Sequence, residues 1–264
     1  MNRCGKLLRS WFDRRALSGP TRQVKSICQF LSLLTRTTTY NFNPRVSGID
    51  EAFLESINFD VDDWGIEYMY GITPRLGNLL KRTCQAAERF TTYPDKNVPL
   101  FLLKECTEIG YEIATWNIQS EIIHLMGPEE YTMREIVCCQ ARAFHSAIAI
   151  FYYRTIGAGH SVNMEHYVQI VWENLKRGED LKEESVNGDK RSAPMSWPAF
   201  IAACEASNRD PWVKWWERVQ IYALGNFTRQ WRTIQEVWSI MDGNENVSSW
   251  REALRQSGRV VLPI

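Results

Sequence analysis

Seven cysteines, four histidines and one acidic cluster are the residues in this 264-residue chain best able to do chemistry. The thiols stand at Cys4, Cys28, Cys84, Cys106, Cys138, Cys139 and Cys204, an odd number, scattered and mostly inside helical apolar patterns, as reduced buried cysteines are. Cys138 and Cys139 cannot share a metal, because neighbours on a helix point about 100° apart and no companion ligands stand near them. His160 and His166, with Glu165 between them, resemble a zinc pair only faintly, since six residues on a helix set them about 240° apart. His124 precedes Met126-Gly127-Pro128 at a helix end, where a cation suits the dipole. His145 lies in a strongly apolar helical run and reads as a hydrogen-bonded core histidine, with a ligand-pocket role as its rival. Asp60, Asp62 and Asp63 would suit magnesium and a diphosphate in an all-α lyase, but such a site needs carboxylates converging from a second helix. No second set stands at usable spacing, and DVDDWGIE reads more simply as a helix start capped by aspartate and supported by Glu67. There is no phosphate-cradling glycine loop and no nucleophile elbow, and Gly157-Ala158-Gly159 reads as an interhelical turn. The sequence therefore predicts no catalytic residue, no cofactor and no metal, with the magnesium-dependent lyase kept as an alternative.

The elements that would have to position any site are helices throughout. Val24, Ile27, Cys28, Leu31 and Leu34 form a stripe that should fade in the β-branched tract from Thr35 to Thr39. Asp50 can cap a short helix carrying Phe53, Leu54 and Ile57, and Asp62 or Asp63 a second one. Thr73-Pro74 opens a longer helix on Leu76, Leu79, Leu80, Cys84, Ala87 and Phe90. Leu102, Cys106, Ile109, Ile113 and Trp116 step by four and three, predicting a half-buried helix. From Thr132, with Glu135 as the other half of a capping box, a helix to about Arg154 is apolar on nearly every face and should lie at the centre. Met164 to Leu175 gives another helix. The charged stretch 176–195 reads as a mobile surface loop. No segment alternates at period two. The expected fold is all-α, an array of antiparallel helix pairs with no sheet.

Six of the eleven tryptophans fall between Ser196 and Trp238. Ser196 and Pro198 suit one helix start, Asp210-Pro211 a second, and Gly225-Asn226 a break before a third. Trp197, Trp212, Trp216, Trp231 and Trp238 are the expected structural core of this region. A nucleobase-stacking platform is disfavoured, because Glu205, Asp210, Glu217 and Glu236 dilute the local lysines and arginines. Ser249 with Glu252 should cap a last helix.

The run WPAFIAACEA from Trp197 to Ala206, then Trp212 to Trp216, Gly225-Asn226, Glu236-Val237-Trp238, Asp242, Trp250 and the closing Val260-Val261-Leu262-Pro263-Ile264, resembles the end of fungal-specific transcription factor domains. The branch typified by the arginine-metabolism regulator is most similar, and Glu67-Tyr68-Met69-Tyr70-Gly71-Ile72 with Leu76, Leu79 and Leu80 resembles its glutamate-tyrosine-x-tyrosine-glycine segment. The likeness runs from about Asp60 to Ile264. It implies a helical regulatory domain in a nuclear protein, acting in transcription regulation. Proteins of this kind typically carry a zinc cluster of six cysteines within roughly 30 residues, presenting a helix to DNA. This sequence has only Cys4 and Cys28 in its first 80 residues.

The charge balance agrees with that departure. The first 45 residues hold nine basic residues against Asp13, leaving 22 basic and 30 acidic residues beyond them, a poor surface for tracking phosphates. The expected organisation is a basic extension over 1–45 with one helix, then a helical regulatory domain over 46–264. The expected partners are proteins or a small effector, with a homodimer allowed, no direct DNA binding and no membrane. A stand-alone helical interaction scaffold is the alternative reading. The nucleus is the expected location, with cytoplasm and mitochondrion as alternatives, the last because the arginine-rich start around Leu7, Leu8, Trp11 and Phe12 is amphipathic.

Overall fold

The computed structural model describes residues 19–38, 57, 59, 71–93, 97–121, 131–156, 162–184, 193–259 and 261. Among them every regular element is a helix, and no strand occurs. In chain order these are α1 (Gly19–Thr38), α2 (Pro74–Thr91), α3 (Leu100–Thr115), α4 (Tyr131–Thr155), α5 (Met164–Glu184), α6 (Ser196–Glu205), α7 (Asp210–Arg218), α8 (Gly225–Gly243) and α9 (Trp250–Ser257). Short 3-10 turns follow α3, at Ile118–Ser120, and α7, at Val219–Tyr222. From α1 to α6 each helix packs on the next, as α9 does on α8, and α2, α4, α6 and α8 also meet one another in succession.

Two helices are enclosed. Along α4, Ile136 to Ala141 and Ser146 to Tyr152 are buried without a break, because small residues such as Ala141, Ala143, Ser146, Ala147 and Ala149 let helices approach on several sides. Four helices surround it: α2, α3, α5 and α6. The shorter α6 is buried at every position from Ser196 to Cys204. Gly71 shows how close the approach is: it sits at φ +67°, and a Cβ there would collide with the Gln140 side chain of α4.

Trp197 joins the beginning, middle and end of the chain. Its ring lies 4.7 Å from Phe144 of α4, which is 6.0 Å from Phe30 of α1, and its indole donates to Thr37 Oγ1 of α1 at 2.8 Å. The threonine tract expected to end α1 stays helical to Thr38. Thr35 Oγ1 donates to the Leu31 carbonyl and Thr37 Oγ1 to that of Leu34, while Thr38 Oγ1 reaches the Val261 carbonyl at 2.8 Å. Tertiary bonds outweigh a weak intrinsic propensity here. The helix expected within a basic extension is thus seated in the common core through Phe30, Leu33 and Leu34, and Arg36 grips Glu88 of α2 with two 2.6 Å bonds.

The caps divide. Thr73 accepts from Leu76 N–H, and Ser249 accepts from Glu252 N–H, as the spacing predicts. Ser196 does not cap α6: its hydroxyl accepts from Gln230 of α8 at 2.8 Å, and Met195 occupies the cap position. Asp210 is already inside the first turn of α7, where its charge still suits the dipole. Tyr131 and Thr132 are both helical, so Thr132 is no cap either. The break expected at Gly225-Asn226 falls earlier, at Ala223, which takes a left-handed conformation with φ +52°.

The stretch expected as a loop from residue 176 is helical to Glu184, because its charges are paired rather than solvated. Lys176 pairs with Asp180 at 2.6 Å, and Arg218 of α7 reaches Asp180 at 2.8 Å and Glu183 at 2.9 Å. Residues 185–192 lie outside the described set, as do the two short helices expected from Asp50 and from Asp62 or Asp63, apart from the buried Ile57 and Phe59.

Trp216 is fully buried, whereas Trp231 is only half-buried and stacks on it with ring centroids 6.2 Å apart. Trp216→Ala should therefore cost roughly 3 to 5 kcal/mol and Trp231→Ala about 1 to 2 kcal/mol in urea denaturation. Equal costs would contradict this packing.

Candidate functional site

Four of the five expected core tryptophans, Trp197, Trp212, Trp216 and Trp238, are buried. Around Trp216 the rings meet edge to face, with Trp215 at 5.0 Å and Phe227 at 6.2 Å. Trp238 donates to the Ala203 carbonyl at 2.8 Å and carries the Arg209 guanidinium 5.0 Å above its ring, while Arg209 holds Asp242 in a fork. The indole N–H groups of Trp215, Trp216 and Trp250 find no acceptor among the described residues, and the T-shaped contacts at Trp215 and Trp216 are the geometry in which an indole edge meets a π face. These rings are packed against one another, so none forms an open cage.

Nor do the thiols and imidazoles gather. Burial raises the pKa of Cys84, Cys106, Cys138 and Cys204 and pushes Cys139 to about 11, so these groups stay protonated at neutral pH. Cys28 is exposed on α1. His145 donates from Nε2 to the Ile113 carbonyl at 2.9 Å and stacks on Trp116 at 4.3 Å, which makes it a positioned core residue joining α4 to α3. Burial lowers its pKa to about 4, against a smaller upward pull from that hydrogen bond. His166 is exposed at the edge of Tyr167. No three histidine, cysteine or carboxylate side chains among the described residues could hold a metal. Cys4, Asp60, Asp62, Asp63, His124 and His160 lie outside those residues.

The charged residues missed from sequence include one buried ion pair. Glu179 and Lys182, 2% and 5% exposed, meet at 2.7 Å on α5, and Tyr222 donates to the other carboxylate oxygen at 2.6 Å. The signal was the i, i+3 spacing of opposite charges, which a reading of 176–195 as solvated passes over. Hydrogen bonds from Lys176 and Arg218 outweigh burial at Asp180 nearby and lower its pKa. The cluster locks α5 to the turn after α7.

Two surface features could receive a ligand or partner. One is a cavity of about 290 Å³ beside Ile118, Glu121, Tyr131, Arg134, Glu135 and Arg142, just below the usual size of small-molecule sites. The other is the outward face of α3. Its inner stripe Leu102, Cys106, Ile109 and Ile113 is buried, yet Leu100, Phe101, Leu103 and Tyr111 are 82%, 63%, 44% and 70% exposed. Contiguous apolar surface of this kind marks interaction sites in soluble proteins.

An all-α helical array, with its C-terminal tryptophans packed together and the outer face of α3 exposed among the described residues, is the class that this architecture defines. The chain belongs to the fungal specific transcription factor domain family, whose profile matches residues 1–264. The match takes in the residues before Asp60, which the sequence likeness left out. No curated protein and no solved structure matches the chain significantly. Family membership supports a role in transcription regulation. No helix among the described residues is long and apolar enough to cross a membrane.

Two stability measurements test this geometry. Lys182→Met strands the Glu179 carboxylate and should cost roughly 3 to 5 kcal/mol, with part recovered in the double variant that adds Glu179→Gln; a single variant as stable as wild type would contradict the burial. For His145 the folded pKa, about 4, lies below its ordinary 6.5. Protonation then favours the unfolded chain, so stability is complete above that ordinary value and falls as pH drops through the folded one. His145→Gln should flatten that fall in denaturation series at successive pH values, and an unchanged slope would contradict the assignment.

Proposed function

We propose that this chain acts in transcription regulation by binding a protein partner, as a helical regulatory domain without a DNA-reading zinc cluster of its own, in the nucleus. The observation that carries this reading is the apolar face of α3, on which Leu100, Phe101 and Tyr111 are 82%, 63% and 70% exposed. Catalysis has no comparable support, since five of the described thiols are buried in packing and His145 is held by a hydrogen bond to the Ile113 carbonyl. Effector sensing is the second reading. It rests on the cavity beside Arg134 and Arg142, where two arginines and two carboxylates could hold a small charged molecule.

The purified chain should give no sequence-selective band in an electrophoretic shift assay at low salt, where phosphate contacts are strongest. Fused to a foreign DNA-binding module, it should change the output of a reporter, and Leu100→Glu with Tyr111→Glu should abolish the change while the helical circular dichroism persists. Stoichiometric zinc with selection of one operator, or a reporter effect indifferent to the α3 face, would overturn the proposal.

A further inference from the structure

We infer that the outer face of α3 is the contact between two copies of this chain, related by a two-fold axis that passes close to Thr107. The inference rests on the reading of that face as a protein-binding surface and names its occupant. Around the helix, Leu100, Leu103, Thr107, Tyr111 and Ala114 share one exposed face, within an arc of about 80°. The carboxylates of α3 are drawn back toward α2: Glu105 pairs with Arg89 at 3.4 Å, and Arg82 takes Glu112 and, at 3.8 Å, Glu108. What remains on the outside is an apolar stripe and, beside it, Phe101, the 55% exposed Glu108 and Lys104, which is exposed and makes no ion pair among the described residues.

The stripe is its own complement. Counted from Thr107, its members stand at minus seven, minus four, zero, plus four and plus seven. An antiparallel copy of the same helix therefore meets it position for position: Leu100 falls opposite Ala114, Leu103 opposite Tyr111, and Thr107 opposite Thr107. Large faces small at both ends, and the small Thr107 pair at the axis leaves room for Leu103 and Tyr111 on either side. The same symmetry brings each Lys104 alongside the Tyr111 ring and the Glu108 carboxylate of the other copy, pairing a lone cation with a π face and an exposed acid. What selects a second copy is that one face carries both halves of the charge pairing, Lys104 and the 55% exposed Glu108, as a closed two-fold contact requires. Sixteen residues of helix give a contact about 24 Å long, at the small end of specific interfaces, so the dimer should be of the order of micromolar rather than obligate.

Sedimentation of the full chain from about 1 to about 300 µM tests this, a range that brackets such an affinity. Wild type should pass from monomer to dimer. Thr107→Arg sets two like charges on the axis and should weaken dimerisation at least about tenfold, with unchanged circular dichroism. Thr107→Glu should do the same alone, and an equal mixture of the two variants should recover the dimer, which a merely misfolded variant could not do. A wild-type chain that stays monomeric, a dimer unmoved by either charge, or a mixture that fails to recover would overturn the inference. If the wild type is monomeric while Thr107→Arg still abolishes the reporter effect, a different protein occupies the face: the two-fold contact falls and the proposed function stands.

Discussion

The rest of the structure depends on the enclosure of Trp197. Its ring lies against Phe144 of the central helix, and its N–H is satisfied by Thr37 of the first one. A buried indole leaves a large void if removed and an unpaired donor if its partner is lost, so a single side chain couples α1, α4 and α6 through both packing and hydrogen bonding. Thr38 repeats the link by donating to the Val261 carbonyl near the end of the chain. The consequence is one core shared by helices more than 150 residues apart in sequence. Its two innermost helices, α6 and α4 from Ile136 onward, expose almost nothing, and their neighbours must keep packed surface on them.

That constraint explains where surface is left over. Helices α5, α8 and α9 are tied down by aromatic contacts such as Trp231 with Trp216 and Trp250 with Phe200, and by ion pairs such as Arg209 with Asp242 and Arg218 with Asp180. At the other edge, α3 meets α2 and α4 on one side only, and Gly110 lets the Tyr152 hydroxyl come close enough to donate to the Cys106 carbonyl at 2.7 Å. The inner stripe of α3 satisfies the core, and the outer residues are free to serve another molecule. Family membership supports a role in transcription regulation, and the proposed partner would meet this helix on the face opposite its folding contacts.

Much of this was legible in the sequence, because apolar periodicity is set by the same geometry that sets burial. The steps from Leu102 to Ile113 give the buried side of α3, and the run from Met133 to Phe151 gives the enclosed α4. The tryptophan cluster was readable as core for the same reason, although nothing in the spacing separates the half-buried Trp231 from the buried Trp216. What stayed hidden depends on long-range partners. Charges in α5 looked solvated until Arg218 and Tyr222 arrived from the next elements, and the threonines of α1 looked like a helix end until Trp197 and Val261 supplied bonds. Ser196 looked like a cap because serine usually is one, but Gln230 claims its hydroxyl. The outer face of α3 was written in the sequence as Leu100, Leu103 and Tyr111, yet only the uncovered edge tells it apart from a second buried stripe.

Amide hydrogen exchange across the whole chain asks most directly whether the first helix and the last belong to one core. The amides of α1 around Phe30 to Leu34 should exchange as slowly as those of α4 and α6, through the same global opening. Fast exchange in α1 beside protected α4 and α6 would mean that the bond from Trp197 to Thr37 holds nothing together, and the account built on it would fail.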